Sequence, residues 1–441
     1  MTISRDTAPA HVPLREAFLY WLKLGCISFG GPAGQIALMH TELVERRRWI
    51  SEQRFLHALN YCMLLPGPEA TQLAVYIGWL LHKTRGGIIA GVLFVLPSLL
   101  VLIALSWIYM AYGTLPVLAA VLYGIKPAIV AIVLAAAWRI GKRTLKNPAL
   151  VAIAAAAFAA ISVLALPFPL IVLGAAVIGA LGARLAPALF QLGGQHPGAP
   201  ASYGPALIDD HTPTPAHAHF SWRRLARTLL AGTGLGGAAF ALLAWRYGSA
   251  SVLAQMGWFF TKAAMLTFGG AYAVLPYVYQ GGVEHYHWLS AAQMIDGLAL
   301  GETTPGPLIM VNAFVGFAGG WNQAGPSPAT DGVLGACVAT FFTFLPSFIF
   351  ILAGGPLVES TRNQLRMTAP LTAISAAVVG VIVSLAVFFG QHVFVLDGRA
   401  DWAAIAIAAA AAVALLRYQA GTIKLLAACA AAGLVLSYRH G

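Results

Sequence analysis

Two apolar segments of this chain occur twice, and each copy carries a glycine or proline break near its middle. Trp21-Leu22-Lys23-Leu24-Gly25-Cys26-Ile27-Ser28-Phe29-Gly30-Gly31 returns 239 residues later as Phe260-Thr261-Lys262-Ala263-Ala264-Met265-Leu266-Thr267-Phe268-Gly269-Gly270. The same offset maps Trp49-Ile50-Ser51 onto Trp288-Leu289-Ser290, and Pro66-Gly67-Pro68 onto Pro305-Gly306-Pro307. An offset of 249 maps Leu96-Pro97-Ser98 onto Leu345-Pro346-Ser347, so the second copy has gained residues between motifs. Duplicated apolar segments with central breaks are a building plan of membrane transport folds, in which the breaks line a site near the bilayer midplane.

Composition fixes the solvent. The chain is 59% hydrophobic and 9% charged, where soluble domains carry about 25% charged residues. Spans long enough for a bilayer recur along its length. The first residues are polar and proline-bearing, without the apolar core of a cleavable signal peptide. The net charge of +11 sits in short loops between apolar segments, where it reports orientation rather than nucleic-acid binding. Cys26, Cys62, Cys337 and Cys429 are far apart in sequence and read as small packing residues. No metal-ligand spacing or cofactor motif is visible, so neither a metal nor a cofactor is expected.

The predicted fold is an all-α integral membrane protein. Two inverted-topology repeats of broken or re-entrant and spanning helices are joined by an extra transmembrane helix. Residues 1–190 form the first repeat, 191–222 a cytoplasmic linker, 223–247 the connecting helix and 248–441 the second, inverted repeat. The linker is rich in Pro, Gly, Ala and His and is expected to be flexible. Its His196, His211, His217 and His219 could bind a metal, but a spacer is the simpler reading. Long segments at 14–45, 52–81, 250–282 and 290–318 exceed a bilayer core of about 30 Å if continuous. Pro66 and Pro68 offer no N–H and disfavour helix in the residues before them. Each long segment therefore reads as two half-helices joined at membrane depth, where open backbone must face protein or a water-filled cavity.

Basic residues discriminate two topologies. Re-entrant hairpins at all four broken segments place 20 basic residues on one face and 3 on the other; full crossings give 16 and 7. The positive-inside rule favours hairpins over thirteen full crossings. Both arrangements put the N-terminus in the cytoplasm and the C-terminus outside, and both invert the second copy. Chain length and charge leave the oligomeric state open.

Half-helix N-termini carry unpaired N–H groups and partial positive charge, so anions bind there. Such ends are predicted near Pro32, Pro68, Ala271 and Pro307. Gly30, Gly31, Gly67, Gly269, Gly270 and Gly306 would let a ligand approach backbone closely. Lys23 and Lys262 add two full charges, and Ser28 and Thr267 two hydroxyls. The set of substrate-binding candidates is completed by Pro66, Pro68, Pro305 and Pro307. The competing reading is that the lysines snorkel to an interface and the glycines serve packing. Glu69 and Glu302 stand beside the breaks without matching each other in the repeat, and are proton-coupling candidates. Alternatively Glu69 pairs with a lysine or accepts freed backbone N–H groups. Asp296 lies nearer its segment start. Lys126 has Ser375 as its repeat partner and so lacks the symmetry argument.

At these motifs the chain resembles the long, two-domain type of the chromate ion transporter family. Phe29-Gly30-Gly31-Pro32, Pro66-Gly67-Pro68-Glu69-Ala70-Thr71-Gln72-Leu73 and Thr304-Pro305-Gly306-Pro307 carry the resemblance, which spans both repeats. It implies a bacterial inner-membrane protein that exports chromate, confers resistance and draws on the proton motive force. Chromate, protons and the lipid bilayer are then its partners. Sulfate, a tetrahedral dianion of similar size, is an alternative substrate, and an anion channel an alternative mechanism. Ala271, where the first copy has Pro32, departs from equivalence of the two first breaks. A membrane enzyme acting on a lipid phosphate is the rival from another class, but no nucleophile motif or catalytic domain supports it.

Overall fold

The computed structural model describes residues 11–29, 31–113, 115–190, 203–210, 212–213, 215–268, 270–323, 327–360, 369–396 and 398–440. Almost all of them are helical. The first repeat begins with α1 (Leu14–Ile27) and α2 (Gly31–His40), the latter running into a π-helical turn at Thr41–Arg46. Then come α3 (Glu52–Leu64), α4 (Glu69–Tyr112), α5 (Pro116–Thr144), α6 (Pro148–Ser162), α7 (Phe168–Leu185) and the short α8 (Pro187–Phe190). α9 (Trp222–Tyr247) connects the repeats. The second repeat holds α10 (Val252–Leu266), α11 (Ala271–Tyr279) with a π-turn at Gln280–His285, α12 (Ala291–Thr303), a 3-10 turn at Leu308–Met310 and α13 (Val311–Gln323). α14 (Pro328–Ser360), α15 (Ala369–Phe394), α16 (Trp402–Arg417) and α17 (Thr422–His440) complete it, with a two-stranded ribbon at Val395–Leu396 and Arg399–Ala400. Among the described residues six helices are long and apolar enough to cross a membrane. The chain is a multi-pass membrane protein.

The breaks fall where the sequence puts them. α1 and α10 are 14 and 15 residues long, about 21–23 Å at 1.5 Å per residue, too short to span. α4 also holds a second interruption. His82 and Lys83 leave helical geometry, with Lys83 at φ 56°. The stretch 69–81 is thus a separate half-helix of about 20 Å, and 84–112 is the spanning part.

Side-chain contacts identify the broken segments as hairpins. Arg47, after the π-turn, pairs with Glu16 at the start of α1 at 2.9 Å. Its guanidinium lies 5.3 Å from the Tyr20 ring and 5.2 Å from that of Trp49. Burial acts to raise the Glu42 carboxyl, but hydrogen bonds from Arg46 and Arg47 outweigh it and hold Glu42 below the usual carboxylate range. α1 and α2 therefore enter and leave on one face. His82, ending the second broken segment, makes a 2.8 Å hydrogen bond with the Val12 carbonyl, so this hairpin returns to the same face. The second repeat does likewise. Phe259, the repeat partner of Tyr20, packs on Trp288, the partner of Trp49. Asn322 at the end of α13 donates to the Trp288 carbonyl.

The two repeats are inverted. The spanning part of α4 starts on the His82 face and ends on the other. α14 runs oppositely: Glu359 at its end accepts from Tyr76 and lies 3.8 Å from Arg54 of α3. The cores agree with this pairing. The buried face of α1 (Ala17, Tyr20, Trp21, Leu24) packs on α4, and that of α10 (Met256, Phe259, Phe260, Ala263) on α14.

The linker corrects one expectation. Residues 191–202, 211 and 214, and with them His196 and His211, lie outside the described residues. The rest is docked on the hairpins rather than free. Ile208 forms a parallel bridge with Ile50, Asp210 accepts from Ser51, and the Thr212 carbonyl accepts from Arg54. His217 donates to the Trp79 carbonyl at 3.0 Å. His219 is exposed. Backbone groups otherwise orphaned at the hairpin tips find partners in this segment, which is what makes it ordered.

Candidate functional site

The four breaks meet at the interface between the repeats, and their loops are exchanged. Gly67 N–H donates to the Thr267 carbonyl at 2.7 Å, and Gly306 N–H to the Ser28 carbonyl at 2.7 Å. Each Pro-Gly-Pro loop thus pairs with the end of the first half-helix of the other repeat. Gly67 and Gly306 sit at φ 123° and 102°, a region that L side chains disfavour. The loops also press on the other repeat's Leu-Pro-Ser motif. A Cβ on Gly67 would meet Ser347 Oγ at 2.3 Å, and one on Gly306 would meet Ser98 Cβ at 2.6 Å. The equivalence extends to the first breaks. Gly31 has φ 77° and Gly270 φ 100°, so the exchange of Pro32 for Ala271 leaves the turn unchanged. Gly30 and Gly269 lie outside the described residues.

Four half-helices start at this centre. Pro68 is the N-cap of α4, and Pro307 that of the turn leading into α13. Gly270 is the N-cap of α11, and α2 begins at Gly31. Pro66 and Pro305 precede the two loop glycines and are half-buried. Two amides absent from the sequence-derived set hold the centre. Gln35 Nε2 donates to the Gly306 carbonyl at 2.5 Å. Gln72 Nε2 donates to the Pro66 carbonyl at 2.7 Å. Both are fully buried, and their Oε1 atoms have no protein partner among the described residues. A buried amide in an apolar helix was the available signal.

The hydroxyl and lysine candidates are placed differently from expectation. Ser28 and Thr267 are buried, and each donates to its own helix, to the Leu24 carbonyl at 2.6 Å and the Ala263 carbonyl at 2.7 Å. In this structure their hydrogens go to their own helices, while their carbonyls take the N–H groups of the exchanged loops. Lys23 lies on the exposed face of α1 beside Leu19 and Ile27, opposite buried Trp21 and Leu24. Lys262 is half-buried, with Nζ 5.5 Å from the ring of exposed Trp258. Helical periodicity turns Lys23 outward, the geometry of snorkelling, while Lys262 stays half-buried beside the Trp258 ring.

The cationic charge that bears on the two glutamates comes from exposed Arg139 and Arg143 of α5. Arg139 and Arg143 are one turn apart on that helix. Arg143 acts on the charge of Glu69 and Arg139 on that of Glu302. Arg143 also contacts Met63 Sδ near the end of α3 at 3.7 Å. Glu302 accepts a hydrogen bond from Tyr272 of α11. Glu69 and Glu302 are both half-buried. So each of the two unmatched glutamates lies within electrostatic reach of one of these arginines. The end of α5 bearing Arg139 and Arg143 lies on the His82 side, since α4 and α5 cross once each.

The third acid is elsewhere. Asp296 Oδ2 lies 3.3 Å from Lys126 Nζ and accepts from Tyr109 at 2.8 Å. Tyr109 is near the far end of α4, so this cluster belongs to the opposite side.

The family model described as chromate transporter matches residues 15–180 and 254–434. The chain belongs to this family. It is 30% identical to a chromate transport protein of Cupriavidus metallidurans, over 88% of this chain and 85% of the relative. It is 33% identical to a chromate transport protein of Pseudomonas aeruginosa, over 86% of this chain and 81% of the relative. A probable chromate transport protein of Synechococcus elongatus is 28% identical, over 86% and 85% of the two chains. No solved structure matches.

Proposed function

We propose that this member of the chromate transporter family exports chromate from the bacterial cytoplasm across the inner membrane by alternating access, with the proton gradient as driving force. The N-terminus, the Arg46-Arg47-Arg48 tip and the linker are cytoplasmic, and the C-terminus is periplasmic. The observation that carries this is the crossed centre: four half-helix N-termini converge between inverted repeats, with guanidinium groups on the cytoplasmic side. Helix N-termini and Arg clusters both suit a compact oxyanion that must shed water. Lys23 and Lys262, equivalent in the repeat, would hold anions at the surface rather than in the centre.

Glu69 and Glu302 are the proton carriers in this scheme. A dianion arriving among Arg139 and Arg143 competes with these carboxylates for the same cations. Unit charges 4 Å apart interact by about 4 kcal/mol at an effective dielectric of 20. Competition of this kind makes proton and anion binding mutually dependent, by the same factor in each direction. Alternating occupancy is what an antiporter requires: the anion leaves as protons enter. Chromate uptake into inside-out vesicles tests the proposal. Energised vesicles should accumulate chromate, an uncoupler should abolish accumulation, and sulfate should compete if the site reads only tetrahedral shape and charge. Accumulation that survives the uncoupler removes the proton gradient from the mechanism. No uptake at all rejects chromate export.

A further inference from the structure

On the side opposite Arg139 and Arg143 lies a cavity of about 460 Å³. Tyr109, Met110, Tyr123, Lys126, Gln293 and Asp296 are among the residues that line it. They come from α4, α5 and α12, so both repeats contribute. None of them belongs to the crossed centre. Its floor is an ion pair with uneven exposure. The Lys126 side chain is 29% exposed, while that of Asp296 is 4% exposed. The ammonium faces the cavity and the carboxylate lies behind it. Asp296 Oδ2 takes Lys126 and the Tyr109 hydroxyl, and Oδ1 has no protein partner among the described residues.

The donors lining the cavity outnumber its free acceptors. Lys126 has three N–H groups, and Asp296 engages one of them. The Gln293 amide nitrogen contacts only Met110 Sδ, at 3.8 Å, a weak acceptor. His392 donates Nδ1–H to the Phe388 carbonyl at 2.9 Å, which leaves Nε2 for the cavity. The Tyr123 hydroxyl donates to Asp401 Oδ2 at 2.7 Å and the Ala404 N–H to its Oδ1 at 3.0 Å, so both oxygens of this carboxylate are engaged. A lysine at membrane depth, paired on one side and open on the other, is a functional group by position.

We propose that this cavity is a second oxyanion station, facing the periplasm, with Lys126 as its charge and Asp296 as the competitor that releases the ion. This rests on the transport reading and extends it. α5 carries Lys126 toward one side and Arg139 and Arg143 toward the other, about 20 Å apart along the helix. α12 carries Asp296 and Glu302 in the same order. An anion leaving the crossed centre thus meets a further cation with its own carboxylate partner. Asp296 prevents capture: without it, Lys126 would bind a dianion tightly and slow its departure.

The test reads binding from outside, without transport. Ala119 lines the cavity and stands two turns before Lys126 on the same face of α5. Ala119→Cys, in the full chain with its four native cysteines replaced, should react with an impermeant maleimide added to the periplasmic face. Molybdate, tetrahedral and inert to thiols, should slow that reaction. Lys126→Gln should raise the half-protecting concentration by about tenfold or more, the size expected for loss of charge-assisted hydrogen bonds. Lys126→Arg should keep protection. Asp296→Asn should lower the half-protecting concentration. Because Lys126→Gln leaves a buried acid unpaired, the double variant Lys126→Gln/Asp296→Asn guards against misfolding and should also lose protection. A cysteine that does not react from outside, absence of protection by molybdate, or protection undiminished in both Lys126→Gln variants would overturn the station. Protection without chromate uptake in inside-out vesicles would instead reject chromate export and leave the station standing. Uptake without protection would do the reverse.

Discussion

Gly67→Ala should damage the protein for two separable reasons, and the structure says how to separate them. The first is conformational. Gly67 sits at φ 123°, and holding a non-glycine residue in such a region costs about 1–3 kcal/mol. The second is steric. The new methyl would lie 2.3 Å from Ser347 Oγ and 2.7 Å from Gln72 Nε2, and overpacking of this kind costs about 1–3 kcal/mol. The sum is about 2–6 kcal/mol, enough to depopulate the crossed arrangement. Ser347 Cβ, at 3.5 Å, is an ordinary contact. Ser347→Ala should therefore remove the worst clash and restore part of the loss in Gly67→Ala. The same logic predicts no rescue of Gly306→Ala by Ser98→Ala, because there the contact is Ser98 Cβ at 2.6 Å; only Ser98→Gly should help. Thermal stability of the purified protein in detergent and vesicle transport, measured across both double-mutant cycles, read the coupling directly. Ser347→Ala failing to rescue Gly67→Ala, or Ser98→Ala rescuing Gly306→Ala, would refute the steric assignment. Wild-type behaviour of both glycine variants would refute the crossed loops themselves.

Other consequences are testable alongside. A cysteine at Arg46 should react with impermeant thiol reagents only from the cytoplasmic face, and labelling from the periplasm would restore full crossings. Glu69→Gln and Glu302→Gln should still bind chromate but lose gradient-driven accumulation, seen as retained exchange without concentration; full accumulation in both would remove these acids from coupling. Lys23→Ala and Lys262→Ala should lower transport less than Arg139→Ala does, since Arg139 bears on the charge of Glu302 and neither lysine has an ion-pair partner among the described residues, and the opposite order in vesicle uptake would place the lysines in the path. Burial first, then the charges of Lys83 and Arg224, lower the His217 pKa below its ordinary value despite its bond to Trp79. The neutral ring is the docked form, so docking is full above the free-histidine value of about 6.5 and weakens as pH falls below it. Amide protection factors at residues 216–219, corrected for the intrinsic pH dependence of exchange, should fall as pH is lowered from 7.5 to 5.5, and His217→Ala should flatten that dependence.

Much of the architecture was legible because its cause is local. Pro66, Pro68, Pro305 and Pro307 break helices wherever they stand. The basic tip at Arg46-Arg47-Arg48 cannot cross a bilayer without cost, so charge alone favoured the hairpins that Arg47 and Glu16 now close. The docked linker was not legible. Its composition describes a spacer, and it is ordered only because the hairpin tips present Ile50, Ser51 and Arg54 to it. The lysines show a different limit. Their equivalence in the repeat was real, but a repeat preserves a helix face without saying whether that face turns inward. Tyr20 and Phe259 are as equivalent as Lys23 and Lys262, and they are the buried pair.

What the repeat could not show is where it has been abandoned. Gln35 and Gln72 correspond to Val274 and Val311, and Lys126 to Ser375. Glu69 and Glu302 correspond to Leu308 and Met63. A search for equivalence discards each of these polar groups, yet the structure gathers them around the breaks and along α5 and α12. The pattern has a physical reason. Exchanged loops such as Gly67 on Thr267 and Gly306 on Ser28 are backbone contacts, and two copies can make them identically. A path through the membrane has two different ends. If its charges obeyed the twofold, a cation and acid on the cytoplasmic side would be repeated on the periplasmic side at equal strength, and neither end would favour release. The side chains that break the repeat, Arg139 with Glu69 and Glu302 on one side and Lys126 with Asp296 on the other, are therefore where directionality would reside under the proposed mechanism, while the exchanged backbone contacts are common to both copies.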